Sequence, residues 1–209
     1  MFDIISFQVF LLTAIIICVT PGIDTMFILS RSISQGRSAG VFSVLGVSSG
    51  SLIHTVLAAV GLSALLKTSV LLFTVVKTIG AIYLIYLGIQ MLIKKGTRLD
   101  IVEVSEISNR KLFTQGMITN VTNPKVALFY ISFVPQFISS TNHYGPIPFI
   151  ILGVIFTLIG TIWDLITVIF SSALTSKLRN NKLVEPILNK ITGIIFIILG
   201  ISLFNTKAH

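Results

Sequence analysis

The sequence predicts an all-α polytopic membrane protein with six transmembrane helices. Its mean hydropathy is +0.98, 54% of its residues are hydrophobic and only 11% are charged, whereas soluble domains carry about 25% charged residues. A helix that crosses a bilayer needs about 20 apolar residues, so 209 residues leave room for six helices joined by short loops. We therefore expect one transmembrane domain over residues 1–209.

Each predicted helix is an apolar stretch that ends at charged or turn-forming residues. Arg31 closes the first stretch, and a turn at Lys67 separates the second from the third. The amino terminus lacks the basic segment and cleavage site of a signal peptide, so the first stretch is expected to be retained as a helix. The six stretches are 4–30, 41–66, 68–93, 112–138, 147–176 and 187–204.

Basic residues predict the orientation of these helices. The side of the second and fourth loops and the tail carries only Lys67 and Lys207. Basic loops stay in the cytoplasm, so both termini are expected outside and helices one and four run in opposite directions. The first, third and fifth loops hold the other basic loop residues: Arg31, Arg37, Lys94, Lys95, Arg98, Arg110, Lys111, Lys177, Arg179 and Lys182.

Two similar patterns predict an inverted repeat of three helices each. The third stretch contains Lys77-x-x-Gly80-x-x-Tyr83, and the sixth contains Lys190-x-x-Gly193-x-x-Phe196. A proline interrupts both the first and the fourth stretch at a similar offset. The predicted organisation is repeat one over about 1–93, a polar cytoplasmic loop over about 94–111, and repeat two over about 112–209.

The two proline-marked breaks are Val19-Thr20-Pro21-Gly22 and Val121-Thr122-Asn123-Pro124. Proline lacks an N–H and disfavours helix at the residue before it, so each helix is expected to unwind here. Lipid cannot satisfy the backbone groups that such a break frees, and broken helices survive only where protein or a watery cavity covers them. Corresponding breaks in two halves of a chain indicate a transporter's binding site.

An ionisable residue follows each break, and such residues are costly near the bilayer centre unless they face a cavity or a partner. Asp24 is placed to bind a substrate ammonium or a proton, and the alternative is that it caps a helix. Lys125 is placed to bind a substrate carboxylate or to act as counter-ion to Asp24, and the alternative is a permanent buried ion pair.

Four more polar residues are candidates for the same site. Asn120 and Asn123 add amide groups at the second break, or cap its helices. Asp164 is expected in the middle of the fifth helix, where it either relays protons, pairs with Lys125 or His54, or is structural. His54 follows Gly46 and Gly50 at steps of four; this placement favours a packing role, although a proton relay stays open.

Other classes of function find little support. No zinc-hydrolase, phosphate-loop or serine-triad motif is apparent, and Cys18 is the only cysteine, so neither an intrachain disulfide nor a thiolate cluster can form. We expect no enzyme activity, no cofactor and no metal. The net charge of +8 lies in the loops that determine topology, so nucleic acid is not an expected partner.

The first break resembles the first signature of the LysE/RhtB family of bacterial amino-acid exporters. That resemblance rests on Thr20-Pro21-Gly22-Ile23-Asp24-Thr25, followed by Ser30-Arg31-Ser32 and Gly36-Arg37-x-Ala39-Gly40. The second break resembles the second signature, Gly116-Met117-Ile118-Thr119-Asn120-Val121-Thr122-Asn123-Pro124-Lys125-Val126-Ala127-Leu128-Phe129, ending in Phe133-x-Pro135-Gln136-Phe137. Ile23 stands where many threonine and homoserine exporters have a second proline, so leucine-type or other neutral substrates stay open.

The resemblance implies a multi-pass protein of the bacterial cytoplasmic membrane that exports amino acids or their derivatives in exchange for protons. It implies that Pro21, Gly22, Asp24, Asn123, Pro124 and Lys125 belong to the site. Our hypothesis is alternating access around Asp24 and Lys125, with protonation of Asp24 releasing the substrate ammonium. The rival interpretations are an exporter of another solute and a non-transporting scaffold or sensor. The expected partners are a small molecule, protons, membrane lipids and, plausibly, a second copy in a homodimer.

Overall fold

The computed structural model describes residues 2–64, 70–93, 106–139 and 141–171, together with 187, 190, 191, 193, 194, 196–198, 200 and 201. The described residues form helices and connecting turns. Within these ranges the only β pairing is an isolated antiparallel bridge between Ile4 and Ile138. The predicted all-α class is therefore confirmed.

Seven α-helices can be named in the described parts of the chain, and two of them continue in other helical turns. Helix α3 continues as a π-helical turn, Ala58–Leu62, and α6 continues as a π-helical turn, Phe129–Phe133, and a 3-10 turn, Val134–Phe137. The helices are α1 (Phe7–Val19), α2 (Ile23–Gln35), α3 (Arg37–Leu57), α4 (Val70–Ile93), α5 (Asn109–Val121), α6 (Pro124–Leu128) and α7 (Ile147–Ile169).

Up to three of these units are long and apolar enough to cross a bilayer. Two are the helices Arg37–Leu62, of 26 residues, and Ile147–Ile169, of 23 residues. The third is the pair of α1 and α2, which passes the same test as one bent span. Large apolar side chains such as Leu12 and Ile162 are more than half exposed, as expected for a surface that faces lipid.

The remaining spans stay predictions. Helix α4 has 24 residues and lies within the predicted third stretch, and the described residues between 187 and 201 are helical. The turn at Lys67, most of the polar loop and the basic loop at 177–182 lie outside the described residues. The count of six helices is therefore untested.

The chain breaks at Pro21, as predicted. Helix α1 ends at Val19, α2 begins at Ile23, and the two axes are bent by 47°. Pro21 has no N–H to offer to the carbonyl one turn earlier, that of Ile17, so the helical ladder stops there. The last backbone bond of α1 is Thr20 N–H to Ile16 O, at 3.1 Å.

The second break is also confirmed. Helix α5 ends at Val121, and α6 begins with Pro124 in its first turn, where the missing N–H costs nothing. The side chain of Asn123 caps this new helix by accepting a hydrogen bond from Lys125 N at 3.0 Å. The capping interpretation of Asn123 is therefore correct for this part of its side chain.

Two predicted helix starts were too late. Helix α3 begins at Arg37 rather than at residue 41, because Gly36 takes a positive φ of 87° that ends α2 and starts the next helix at once. Helix α5 begins at Asn109 rather than at residue 112, since extended Ser108 is its N-cap. Both errors came from treating basic residues as loop, although the first turn of a helix can carry them.

Glycines let α3 and α5 touch backbone to backbone. A Cβ on Gly46 would collide with the carbonyl oxygen of Phe113, and one on Gly50 would lie 2.8 Å from the oxygen of Met117. From the other side, a Cβ on Gly116 would lie 2.6 Å from the oxygen of Ser43. This close contact between small residues holds α5, and with it the second break, against α3.

Helix α4 makes a second glycine contact with the carboxyl-terminal helical residues. A Cβ on Gly88 would lie 2.6 Å from Gly193 O, and a Cβ on Gly200 would lie 2.8 Å from Ala81 O. Going along α4 from Ala81 to Gly88, the contacts on the other segment go backwards from Gly200 to Gly193. The two segments therefore run antiparallel. They belong to the predicted third and sixth stretches.

Tyr130 anchors a buried network of hydroxyl groups between α3 and α7. Its hydroxyl lies 2.9 Å from Thr55 Oγ1 and 3.0 Å from Ser51 Oγ, and it donates to Gly153 O at 3.3 Å. Ser51 Oγ in turn lies 2.8 Å from Thr157 Oγ1. Tyr130 is 1% exposed, so its hydroxyl depends on these protein groups for its hydrogen bonds.

Replacing Tyr130 by phenylalanine is expected to lower the free energy of unfolding by about 1–3 kcal/mol, because buried hydroxyl and carbonyl groups lose a partner. Thermal melting of the purified protein in detergent measures this change. The control is Tyr144→Phe, since Tyr144 is 46% exposed. Equal melting temperatures for the two variants would contradict a stabilising role of the Tyr130 hydroxyl.

Candidate functional site

A cavity of about 50 Å³ lies where the two breaks meet α3 and α7. A cavity needs roughly 10–15 Å³ to admit a water molecule, so this space is large enough for water. Its lining includes Asp24, Asn120, Lys125, Thr157, Gly160 and Asp164. Four of the polar residues predicted for the site are thus brought together on one cavity.

Lys125 crosses from the second break to the first. Its Nζ donates to Thr20 O at 2.9 Å and to Ile17 O at 3.1 Å. These carbonyls lie at the carboxyl end of α1, where the helix dipole is negative, and Pro21 removes the N–H that Ile17 O would otherwise accept. Lys125 therefore caps α1 from the opposite half of the chain.

Gly22 gives Lys125 the room for this contact. A Cβ at Gly22 would lie 3.0 Å from Lys125 Nζ and 3.4 Å from its Cε. Pro21 and Gly22 thus act together, because the proline frees a carbonyl and the glycine lets the ammonium reach it. Pro124 plays a local part by starting α6, which carries Lys125 in its first turn.

Asp24 lies in the first turn of α2, where the positive end of the helix dipole favours a carboxylate. Its Oδ2 accepts a hydrogen bond from Asn120 Nδ2 at 2.8 Å. Its Oδ1 is buried and has no hydrogen-bond partner. Asn123 also faces this carboxylate, but its Nδ2 makes no hydrogen bond of normal geometry.

Asp24 and Lys125 form no ion pair with each other, although both line the cavity. The lysine is bonded to backbone carbonyls and the aspartate to an amide. An ammonium group has three N–H donors, so two hydrogen bonds leave Lys125 one donor for a further acceptor. The permanent buried ion pair weighed as the alternative is not formed in this structure.

His54 lies beside the second break. Its Nε2 is 3.4 Å from Asn120 O, and its ring stacks on Tyr130 with centroids 5.5 Å apart and planes 15° apart. It is 8% exposed and is packed between α5 and the hydroxyl network. This placement is the packing position that its spacing from Gly46 and Gly50 favoured.

Asp164 lies on the α7 wall of the cavity and is 8% exposed. It pairs with neither Lys125 nor His54, the two partners considered for it from the sequence. Within the described residues no hydrogen bond or ion pair reaches its carboxylate. Asp164 is therefore a buried acid whose oxygens face only the cavity and its lining.

Sequence reasoning missed the hydroxyl groups that form the rest of the wall. Ser48 Oγ lies 2.7 Å from Thr161 Oγ1, one turn along α3 and α7 from the Ser51–Thr157 pair. The signal was present, since these residues repeat at helical spacing on two otherwise apolar helices. Serine and threonine hydroxyls that bond to a carbonyl of their own helix are common in membrane proteins. Their spacing alone therefore did not distinguish residues that line a cavity from residues that only pack between helices.

The arrangement places unpaired acceptors, Asp24 Oδ1 among them, and the spare donor of Lys125 around one small cavity. Asp24 Oδ1 can accept from an ammonium, and the spare donor of Lys125 can bind a carboxylate. An α-amino acid carries both groups on one carbon. The unpaired groups of this buried site thus complement the ammonium and carboxylate of such a molecule. Its side chain would then face the wall that α3 and α7 form.

Comparison with known proteins gives a consistent result over nearly the whole chain. A family model described as LysE type translocator matches residues 15–207. An uncharacterized membrane protein of Bacillus subtilis, YrhP, is 35% identical over 198 residues, which cover 90% of this chain and 93% of the relative. A leucine efflux protein of Salmonella typhimurium is 29% identical over 197 residues, covering 94% and 93%. No solved structure matches the chain.

Proposed function

The chain belongs to the LysE type translocator family, a family of amino-acid exporters, and from this premise we propose that it exports an amino acid or a derivative by exchange for protons. The proposed membrane is the bacterial cytoplasmic membrane, crossed six times with both termini outside. The single observation that carries the substrate class is the cavity in which Asp24 Oδ1 and one donor of Lys125 are left unpaired. The same premise gives no reason to propose an enzyme activity.

Asp24 is the proposed ligand of the substrate ammonium, and Lys125 that of the substrate carboxylate. Asn120 holds Asp24 in place through its hydrogen bond, and Asn123 holds the start of α6. His54 supports Asn120 through the contact of its Nε2 with the Asn120 carbonyl oxygen. A neutral substrate is favoured, because relatives such as the Salmonella typhimurium protein are named for leucine efflux.

Alternating access is proposed to use the two halves of the chain as inverted repeats. The supporting observation is the antiparallel contact of α4 with the carboxyl-terminal helical residues, in which Gly88 meets Gly193 and Ala81 meets Gly200. These segments would be the third helix of each repeat. A two-fold axis in the membrane plane relates such helices to each other in transporters of this kind.

The rival scaffold or sensor fits the structure less well. It needs a dry, closed pair of Asp24 and Lys125, whereas these residues line a cavity and bond to other groups. An exporter of a hard metal ion also fits poorly. Such ions recruit several oxygens from acidic residues, and the described part of the chain holds no group of three or more potential metal ligands.

The proposal is tested with purified protein in liposomes that contain labelled amino acids, under an imposed pH gradient. We expect efflux of one class of amino acid that follows the gradient. Efflux of none of them, from correctly inserted protein, would contradict the proposed function. The panel covers leucine-type, hydroxylated and basic amino acids, so the same assay identifies the substrate.

Asp24→Asn is expected to raise KM for that substrate about 10- to 100-fold. A hydrogen bond to a charged group is worth about 1.5–3 kcal/mol, and the amide can no longer neutralise the ammonium. The control is Asp3→Asn. Asp3 also accepts a hydrogen bond, from the backbone N–H of His143, but it is not part of the cavity lining. An unchanged KM in Asp24→Asn would remove Asp24 from the site.

A further inference from the structure

Asp164 is the one acid on the cavity wall that the proposed substrate contacts leave unexplained. It lies in the carboxyl-terminal third of α7, is 8% exposed and lines the cavity. No hydrogen bond or ion pair joins it to another residue in the described part of the chain. An ionised carboxylate that is buried without a protein donor is costly, and a proton or another cation would remove that cost.

Charged and titratable groups from several elements lie around Asp164. Asp24 of α2 and Lys125 of α6 act on it across the cavity, and Cys18 of α1 lines the same space. The titratable residues of α3 are engaged elsewhere: Arg37 donates to Ile169 O, and His54 lies at Asn120 O. With both acids ionised, the cavity therefore carries an excess of one negative charge.

A zwitterionic substrate does not remove this excess, because its ammonium and carboxylate cancel. One further monocation is needed to make the cavity neutral. Hard metal ions are held by several oxygen ligands, and the described part of the chain holds no group of three or more potential metal ligands. A proton needs no coordination shell and only a water to deliver it.

We propose that Asp164 carries the coupling proton, while Asp24 and Lys125 hold the substrate. This rests on the proposed export function, and it moves the proton from Asp24, where the sequence alone suggested it, to the opposite wall of the cavity. The tasks of the two acids are then separate: one recognises the ammonium, and the other couples export to the proton gradient.

The coupling follows from competition between the proton and the substrate ammonium for the two acids, while Lys125 holds the substrate carboxylate. On the outside, hydronium transfers a proton to the Asp164 carboxylate and leaves water, which makes the empty cavity neutral. On the inside, the ammonium of an arriving substrate stabilises ionised carboxylates nearby, so Asp164 returns its proton to water. Each ligand lowers the affinity for the other by the same factor, as linkage requires.

Asp164→Asn in liposomes is the test. We expect it to lose substrate-driven proton flux, measured with a pH-sensitive dye inside, and to lose acceleration of efflux by a pH gradient. Exchange of labelled for unlabelled substrate at equal pH is expected to stay within a few-fold of native, because Asp24 and Lys125 are intact. Asp164→Glu restores a carboxyl group in a cavity with room for it and is expected to restore proton flux.

Three results in the transport assay would overturn the proposal. One is proton-coupled export by folded Asp164→Asn. Another is loss of equal-pH exchange in that variant, which would make Asp164 a substrate ligand, as for the side-chain ammonium of a basic amino acid. The last is native export that follows a sodium gradient instead of the pH gradient.

A second readout keeps the proton assignment testable even if no tested amino acid is exported, which is the outcome that contradicts the proposed function. Infrared difference spectra of the purified protein, recorded on acidification, report protonated carboxylic acids. We expect a band that is present in native protein and in Asp24→Asn and absent in Asp164→Asn. If the same bands appear in all three proteins, Asp164 is not the group that takes up the proton.

Discussion

Lys125→Met is expected to reduce export at least about 100-fold and to weaken the fold at the same time. The substitution removes the proposed ligand of the substrate carboxylate, and charge-assisted hydrogen bonds of this kind contribute about 1.5–3 kcal/mol each. It also leaves Ile17 O and Thr20 O without the donor that Nζ supplies. Flux assays in liposomes and thermal melting measure the two effects separately.

The matched control for this prediction is Lys111→Met. Lys111 also carries one positive charge, but its side chain is exposed near the start of α5. Native-like export in Lys111→Met shows that net charge alone is not responsible. Native-like export in Lys125→Met would show that neither the substrate nor α1 depends on this ammonium.

Gly46→Leu is expected to prevent α3 and α5 from packing and to yield little folded protein. Even a Cβ at this position collides with Phe113 O, and a backbone atom cannot move aside as a flexible side chain can. Overpacking costs about 1–3 kcal/mol for a few extra methylenes in an adaptable core, and a leucine against backbone is expected to exceed that range. Yield of monodisperse protein and its melting temperature are the measurements.

Gly61→Leu is the control for this substitution. Gly61 lies in the π-helical turn that continues α3, and a Cβ there would meet nothing within 4 Å. The same change of residue is thus made on the same helical unit without a collision. Similar yields for the two variants would show that α3 and α5 do not need their close contact.

Some of this molecule can be predicted from its sequence because single residues carry strong local constraints. Pro21 and Pro124 cannot donate a backbone hydrogen bond, and both helices end within three residues of them. The steps of four that join Gly46, Gly50 and His54 placed all three on the face that meets α5. These features depend on backbone chemistry and helical period, which the sequence displays directly.

The partners of the charged residues could not be predicted in the same way. Asp24 and Lys125 carry opposite charges, which suggests an ion pair. Lys125 instead donates to backbone carbonyls that are free only because the helix breaks at Pro21. Asp24 accepts a hydrogen bond from Asn120, and Asp164 has no hydrogen-bond or ion-pair partner in the described residues. The acceptor that a buried ammonium binds depends on the distances between segments that are far apart in sequence. The spacing of residues along the chain does not give these distances.

The cap that Lys125 places on α1 makes two distant positions depend on each other in evolution. A chain that lost Pro21 would regain the N–H that Ile17 O needs, and selection on the lysine's structural task would relax. A chain that lost Lys125 first would carry an orphaned carbonyl until Pro21 changed as well. Among descendants that have also lost export, the proline is therefore expected to be replaced before the lysine.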